Sequence, residues 1–386
     1  MTFLSYYRCI DCGKTFVADA VHYLCDECAS DYRPGIPLPG VLEAVFDYAA
    51  IAYAWQDNPD IRLFSAVDPV YFPDLPVGDT PFFRSERLAS HLQCPNLWIK
   101  FDGLNPSGSL KDRASMMMVA EARRLGIKQI VTASTGNAAC SLAALCANAG
   151  IQAVIFAPAQ APPAKLIQIL VHGAELHKVE GTYDYAYAAA LDYAAHHECL
   201  IRNTGYHPLT IEGKKSAGLE IYVQHGKVPD WIVIPVGDGV ILSAIHKAFL
   251  DLKRTGIIDR LPRLLAVQAE SSDAIFNYWK TGVYRDAAQP RTVADSISVR
   301  TPSCAHWSIQ ALQETQGDAV LVTDSEILPA QKELAAYAGV FAEPSSSSTL
   351  AGLRKALTQG IVKQDDSVVL LVTGHGLKDP GAVKLG

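Results

Sequence analysis

From about Asn96 onward, short continuous apolar runs alternate with stretches of helical period, and no other feature restricts the fold of this chain as strongly. The pattern predicts strands at 97–101, 129–133, 152–157, 175–179, 200–202, 231–236 and 264–268. It predicts helices at 112–125, 138–149, 165–171, 183–196, 212–223 and 242–253. Strands this apolar do not suit a face in water, and their regular exchange with helices is the mark of parallel strands joined by helical crossovers. The expected class is α/β, with parallel sheets covered by helices.

Length and charge narrow the function classes. A chain of 386 residues that is 49% hydrophobic can form two or three domains with sizeable cores. Its 33 Lys+Arg against 40 Asp+Glu give a net charge of -7, with the basic residues scattered. Nucleic acid and anionic membrane surfaces are therefore not expected partners. The longest apolar stretch, 142–158, is broken by Asn148, Gly150 and Gln152, and the N-terminus has no basic region followed by an apolar core. A cytoplasmic protein is the expectation.

Nine cysteines is an odd number, and four cluster at the start as Cys9, Cys12, Cys25 and Cys28. Two CxxC hooks can supply four thiolates in a tetrahedron, and Gly13 suits the tight turn that aims the first hook. The alternative is a pair of reduced or redox-active dithiols, although nothing nearby resembles the βαβ setting of a redox CxxC. A zinc ion here would be structural, because four thiolates leave no open position. A Pro-punctuated passage over 29–76 follows, with one amphipathic helix expected from 41 to 55.

Ligands of α/β folds collect at the carboxyl ends of the strands, so the loops there carry the candidates. The first loop, 103–113, sets Lys111 at a helix start. The positive end of the helix dipole disfavours an ammonium there and favours the neutral amine that a Schiff-base lysine needs. The second runs Ala133-Ser134-Thr135-Gly136-Asn137 and suits an anion or a plain helix cap. The third, Pro235-Val-Gly237-Asp238-Gly239-Val240-Ile241, reads as a phosphate cradle. It is not a dinucleotide fingerprint, which would need glycine where Leu242 stands. His196-His197-Glu198-Cys199 reads as a surface helix end, and the serines at 345–348 read first as helix caps and second as a hydroxyl-rich wall.

Four runs then carry a family resemblance. LNPSGSLKDR, ASTGNAA, PVGDG and VTGHGLKDP stand in the order of the motifs of threonine synthase and its relatives, pyridoxal-phosphate enzymes of the tryptophan-synthase-β fold. The similarity runs from about Val77 to Pro380, and the cysteine segment with GVLEAVFDY is also similar to the N-terminal stretch of some threonine synthases. It implies a two-domain, fold type II enzyme: a zinc-ribbon-like segment at 1–33, a linker with a helix at 34–76, a large domain of 77–104 plus 199–386, and a small domain of 105–198. It also implies pyridoxal 5'-phosphate, held as an aldimine by Lys111, which would then move protons at Cα and beyond. Asn137 would hold the phenolic oxygen, the backbone amides of Gly237, Asp238, Gly239, Val240 and Ile241 the phosphate, and Thr373 the pyridine nitrogen. A hydroxyl there, in place of a carboxylate, leaves the ring nitrogen largely unprotonated and favours elimination and replacement over transamination. Thr80, Ser134, Thr135, Asn203, Thr204 and Lys214 would contact a small amino-acid substrate, and the family suggests a homodimer.

The leading expectation is a lyase resembling threonine synthase, taking O-phosphohomoserine to threonine and phosphate. Departures from the family pattern open a second reading. The Arg that clamps the substrate phosphate is Thr210 here, one residue is inserted before Pro208, and the cradle position usually occupied by Asn is Asp238. Lys214 is the candidate replacement cation. The alternative is β-elimination or β-replacement on another amino acid, of the serine/threonine or diaminopropionate deaminase type. A third reading is a non-catalytic binding protein on this fold, against which the retention of Lys111 speaks.

Overall fold

The computed structural model describes residues 2–161, 163–181 and 183–382. In chain order its strands are β1 (Leu4–Cys9), β2 (Thr15–Val17), β3 (Leu42–Phe46), β4 (Phe82–Arg84), β5 (Leu97–Phe101), β6 (Gln129–Ala133) and β7 (Gln152–Pro158). There follow β8 (Glu175–Val179), β9 (Leu200–Ile201), β10 (Trp231–Pro235), β11 (Arg263–Ala269), β12 (Asp318–Val322) and β13 (Val368–Val372). Each strand and helix expected between 97 and 268 is present, with ends within three residues of those read from the apolar pattern. The chain divides into two compact units, Met1–Val77 with Lys111–Ser216, and Gly78–Leu110 with Ala217–Gly386.

The first unit holds an antiparallel sheet in the order β2-β1-β3 and a parallel sheet in the order β8-β7-β6-β9. Val131, Val154, Phe156 and Ile201 from the parallel sheet pack with Ala186 and Ala190 of the helix Tyr183–His196. The structure does not divide the chain at 199, the expected boundary. Parallel pairing of Ile130 with Leu200 and Val131 with Ile201 keeps β9 in the small sheet, and the chain up to Ser216 stays with it. The N-terminal 77 residues belong to the same unit.

The helix expected over 41–55 is two elements. Residues of β3 pair along β1, and the helix Tyr48–Asp57 starts only after Asp47, whose carboxylate accepts the Ala50 N–H at 3.0 Å. Leu42–Phe46 is buried throughout, Glu43 included, which a strand laid on the free edge of β1 achieves and a one-sided helix would not.

Gly213 lies in the helix Leu209–His225 where it meets the helix Lys111–Leu125. A Cβ on it would stand 2.2 Å from the Arg113 carbonyl oxygen and 2.8 Å from Ala114 Cα. Both are backbone atoms and cannot swing aside. Gly213→Ala is expected to cost about 1–3 kcal/mol or more by overpacking, measured as a lower denaturation midpoint. An unchanged midpoint would mean that the two helices are not so closely packed.

The second unit is built on the sheet β12-β11-β10-β13-β5-β4, parallel except for the antiparallel edge strand β4. Leu97, Ile99, Val233, Leu265, Val267 and Leu370 pack with Leu350 and Leu353 of the helix Pro344–Thr358. That helix has Glu343 as its N-cap residue and Pro344 in its first turn, so the serines at 345–348 lie inside it and are not caps. No helix of the described residues is long and apolar enough to cross a membrane.

Candidate active site

In the second unit the glycine loop after β10 leads into the helix Val240–Arg254. Gly239 is its N-cap residue, in the left-handed region at φ 81°, and no side chain caps the helix. The first-turn N–H groups have no intrahelical acceptor and form an anion-binding end. A Cβ on Gly239 would stand 2.2 Å from Ser308 Oγ, and one on Gly237 would stand 2.9 Å from Ile297 Cα. Packing against 296–308 therefore demands glycine at both positions and holds the loop rigid. Asp238 is half-buried in it, and its carbonyl accepts the Cys304 N–H at 2.8 Å.

Thr373 follows β13. Its carbonyl accepts the Leu110 N–H at 2.8 Å, the His375 N–H donates to Gly108 O at 3.0 Å, and Lys378 Nζ donates to Ser107 O at 3.0 Å. Two runs more than 260 positions apart are thus zipped together, and Lys111 is the next residue along the chain from Leu110. Thr373 is buried, with Oγ1 2.9 Å from Ser346 Oγ. The four serines divide in pairs. Ser345 Oγ accepts the Ser296 N–H and Ser346 Oγ serves Thr373, whereas Ser347 and Ser348 donate back to the carbonyls of Glu343 and Ser345 within their own helix. His375 Nδ1 accepts the Leu377 N–H at 3.1 Å and so caps the short helix Gly376–Lys378. Thr80, also buried, donates from Oγ1 to Asp102 at 2.6 Å, while its carbonyl accepts from Lys100 Nζ at 2.8 Å.

In the first unit Lys111 opens the helix Lys111–Leu125, as expected. Ser134, Thr135 and Asn137 sit at the carboxyl end of β6, and the helix Asn137–Ala149 has Gly136 as its N-cap residue without a side-chain cap. A Cβ on Gly136 would meet nothing within 4 Å, so this helix end faces open space. Asn203 Oδ1 accepts from Thr132 Oγ1 at 3.1 Å and from the Ala133 N–H at 2.9 Å, which fixes the orientation of its amide. Its buried Nδ2 has no hydrogen-bond partner among the described residues. Thr204 Oγ1 accepts from Arg202 Nη1 at 2.8 Å. Thr210 is buried, donates to His207 O at 2.8 Å and accepts the Gly205 N–H at 2.9 Å, so its hydroxyl is spent on folding the loop. Lys214 is fully buried; Lys215 beside it pairs with Glu212 at 2.5 Å and lies 4.2 Å over the Phe46 ring.

The four N-terminal sulfurs lie within 4.8 Å of one another, with Cys9 and Cys28 at 3.8 Å and Cys12 and Cys25 at 3.7 Å. Thiolates about 2.3 Å from a tetrahedral zinc stand about 3.8 Å apart, so the spacing fits that ion. Gly13, at φ 78°, donates its N–H to Cys9 O at 3.0 Å and makes the turn of the first hook. His196 and His197 instead donate from Nδ1 to the carbonyls of Asp192 and Tyr193, as befits a helix end.

Two residues that the sequence motifs do not mark link this segment to the loop after β9. Tyr23 stacks on Tyr206 at 5.2 Å, lies edge-on to His207 at 5.2 Å, and accepts the Ile201 N–H at 3.2 Å. His207 is buried, accepts the Leu209 N–H at Nδ1, and is pushed down to about 3 by desolvation, with a smaller effect of His22. Its unfolded value is near 6.5, so the unfolded chain takes up a proton that the folded one refuses. Stability is expected to fall as pH drops from about 6.5 toward 3, by up to about 1.4 kcal/mol per pH unit from this residue. His207→Phe should flatten that slope in denaturation measured against pH; an unaltered slope would show that the ring is hydrated.

A family model described as pyridoxal-phosphate dependent enzyme matches residues 74–374. The threonine synthase of Methanosarcina acetivorans is 36% identical over 97% of this chain and 93% of its own length. That of Methanocaldococcus jannaschii is 35% identical with the same coverage of both. Among solved structures, processed threonine deaminase isoform 2 from Solanum lycopersicum superposes with a TM-score of 0.70 at 20% identity, over 87% of this chain and 93% of that one. Serine racemase from Dictyostelium discoideum gives 0.66 at 24% identity, over 77% and 92%. These two establish the likeness of fold, fold type II, and the family match together with the full-length relatives establishes kinship: the chain belongs to the pyridoxal-phosphate-dependent enzyme family.

Proposed function

We propose that this enzyme is a carbon–oxygen lyase of the threonine synthase kind, converting O-phosphohomoserine and water to threonine and phosphate. The observation that carries the reading is the similarity to archaeal threonine synthases over 97% of the chain, which extends past the 74–374 family region into the N-terminal segment.

The residues suit the cofactor. Pyridoxal phosphate, when bound, supplies an electron sink for the pair left at Cα on proton removal. The uncapped helix end behind Gly239 offers backbone N–H groups of 237–241 to its phosphate. Thr373 would meet its ring nitrogen and Asn137 its phenolic oxygen. Lys111 would hold it and carry protons at Cα and beyond, since a helix start favours the neutral amine. Ser134, Thr135 and the open helix end at Gly136 suit a substrate carboxylate. Asn203, whose buried Nδ2 has no acceptor among the described residues, would turn that amide nitrogen to the substrate, with Thr204 and Thr80 as neighbours by family analogy. For the cysteine segment we propose one structural zinc per chain, held by Cys9, Cys12, Cys25 and Cys28.

One observation favours the second reading. Thr210 uses its hydroxyl within the loop and cannot replace a phosphate-clamping Arg. A lost bidentate Arg is worth about 2–3 kcal/mol, roughly a hundredfold in binding. β-Elimination from serine, threonine or diaminopropionate needs no such clamp. Assays on these and on O-phosphohomoserine and phosphoserine, scoring phosphate, ammonia and keto acid separately, decide the matter. Phosphate release with threonine formed supports the first reading; ammonia and keto acid without phosphate transfer the assignment to the second. Asp238→Asn is a cross-check. A carboxylate beside a phosphate dianion is unfavourable, so this substitution should raise kcat/KM on a phosphorylated substrate about threefold or more and lower it on an amine-bearing one.

A further inference from the structure

Ser346 lies in the first turn of the helix Pro344–Thr358 and is wholly buried. Its Oγ accepts the Thr373 N–H at 3.0 Å and the Gly374 N–H at 2.8 Å, and stands 2.9 Å from Thr373 Oγ1. A serine hydroxyl has two acceptor lone pairs and one proton. The two backbone N–H groups take up both lone pairs. Only the proton is left for the third contact, so Ser346 is the donor and Thr373 Oγ1 the acceptor. The reverse assignment would crowd three donors onto one oxygen and strand the serine proton in a buried place, which costs more than a hydrogen bond returns. Thr373 therefore keeps its own proton to give away. Thr373 as a whole is only 6% exposed, and its hydroxyl has no second hydrogen-bond partner among the described residues.

We infer that Ser346 is a positioning residue: by donating to Thr373 it turns the threonine hydroxyl into an obligatory donor toward the cofactor ring nitrogen, which it holds unprotonated. A protonated nitrogen would leave the Thr373 O–H without an acceptor. The sink is then held at moderate strength by a serine that never touches the ring. This rests on the reading that Thr373 faces the ring nitrogen, and the experiment separates the two.

Holoenzyme reconstituted with pyridoxal phosphate carrying 15N in the ring reports protonation of that nitrogen directly by NMR, independently of turnover. Wild type should show the unprotonated resonance across the pH range in which the protein is folded. In Ser346→Ala the Thr373 oxygen no longer carries the serine's donated O–H, so it can take a ring N–H without accepting from two donors at once, and proton affinity of the ring nitrogen should rise about tenfold or more, appearing as a protonated fraction at the acid end. Ser346→Cys, close in size but a poor donor, should move the same way if the alanine variant folds badly. Ser346→Thr, which keeps the hydroxyl, should restore the wild-type resonance. If Thr373→Val moves the resonance and neither Ser346→Ala nor Ser346→Cys does, the positioning role of Ser346 is wrong. If Thr373→Val leaves it unmoved as well, Thr373 does not face the ring nitrogen and the underlying reading fails.

Discussion

Lys111→Ala is expected to abolish the visible absorption of the holoenzyme and to lower turnover by roughly a thousandfold or more, because in the proposed function one side chain would be both the covalent anchor of the cofactor and the base that moves protons. The fold should survive. Lys111 is half-exposed at the first position of its helix, where alanine is a good helix former. Absorption spectra of the two proteins give the first answer, and borohydride reduction followed by peptide mass mapping gives the second. A reduced adduct on any lysine other than Lys111, or a variant that keeps its covalent cofactor, would move the catalytic centre elsewhere.

A Cys9→Ser, Cys12→Ser double variant is expected to lose its metal altogether, from about one zinc per chain to none, and to lose on the order of 3 kcal/mol or more of stability. Serine cannot replace a thiolate donor, and the ion pairs of Lys14 with Asp26 and Glu27 that also join the hooks lie at the surface, where such pairs contribute little. The consequence should reach the substrate. Tyr23 stands just before the second hook and braces the loop after β9 through Ile201, Tyr206 and His207, and that loop carries Asn203 and Thr204. KM is therefore expected to rise severalfold with kcat less affected. Tyr23→Ala should reproduce the rise in KM while keeping the metal. Zinc content unchanged in the double variant would show that these thiols are not the ligands; zinc lost with KM unmoved would show that the brace is passive.

Much of the fold was legible because period and turn chemistry are local. The apolar run at β7 and the helical stripe before it could be read without knowing their neighbours, and so could Gly239, whose φ of 81° marks a turn before a helix. The stretch at 41–55 misled for the same reason. Its apolar spacing satisfies a helix, and only the edge presented by β1, brought round by the cysteine hairpin, makes Leu42–Phe46 a strand. The two-residue strand β9 was too short to reveal its sheet, and its pairing with β6 kept the chain up to Ser216 in the first unit.

Sequence by itself determined the alternation of strand and helix, the loops at the strand ends, the lysine at a helix start and the four thiols with metal spacing, because each depends on residues close together in the chain. Tertiary structure decided what the polar groups do. Thr210 folds a turn, Lys214 is buried, two of four serines face the loops and two do not, and Asn203 is bolted to β6 from 71 positions away with its amide nitrogen left over among the described residues. A buried hydrogen bond must be satisfied by whatever the fold brings beside it, and the partner is set by packing between segments distant in the chain. Ser346 and Thr373 stand 27 residues apart, and nothing in either neighbourhood alone says which of them donates.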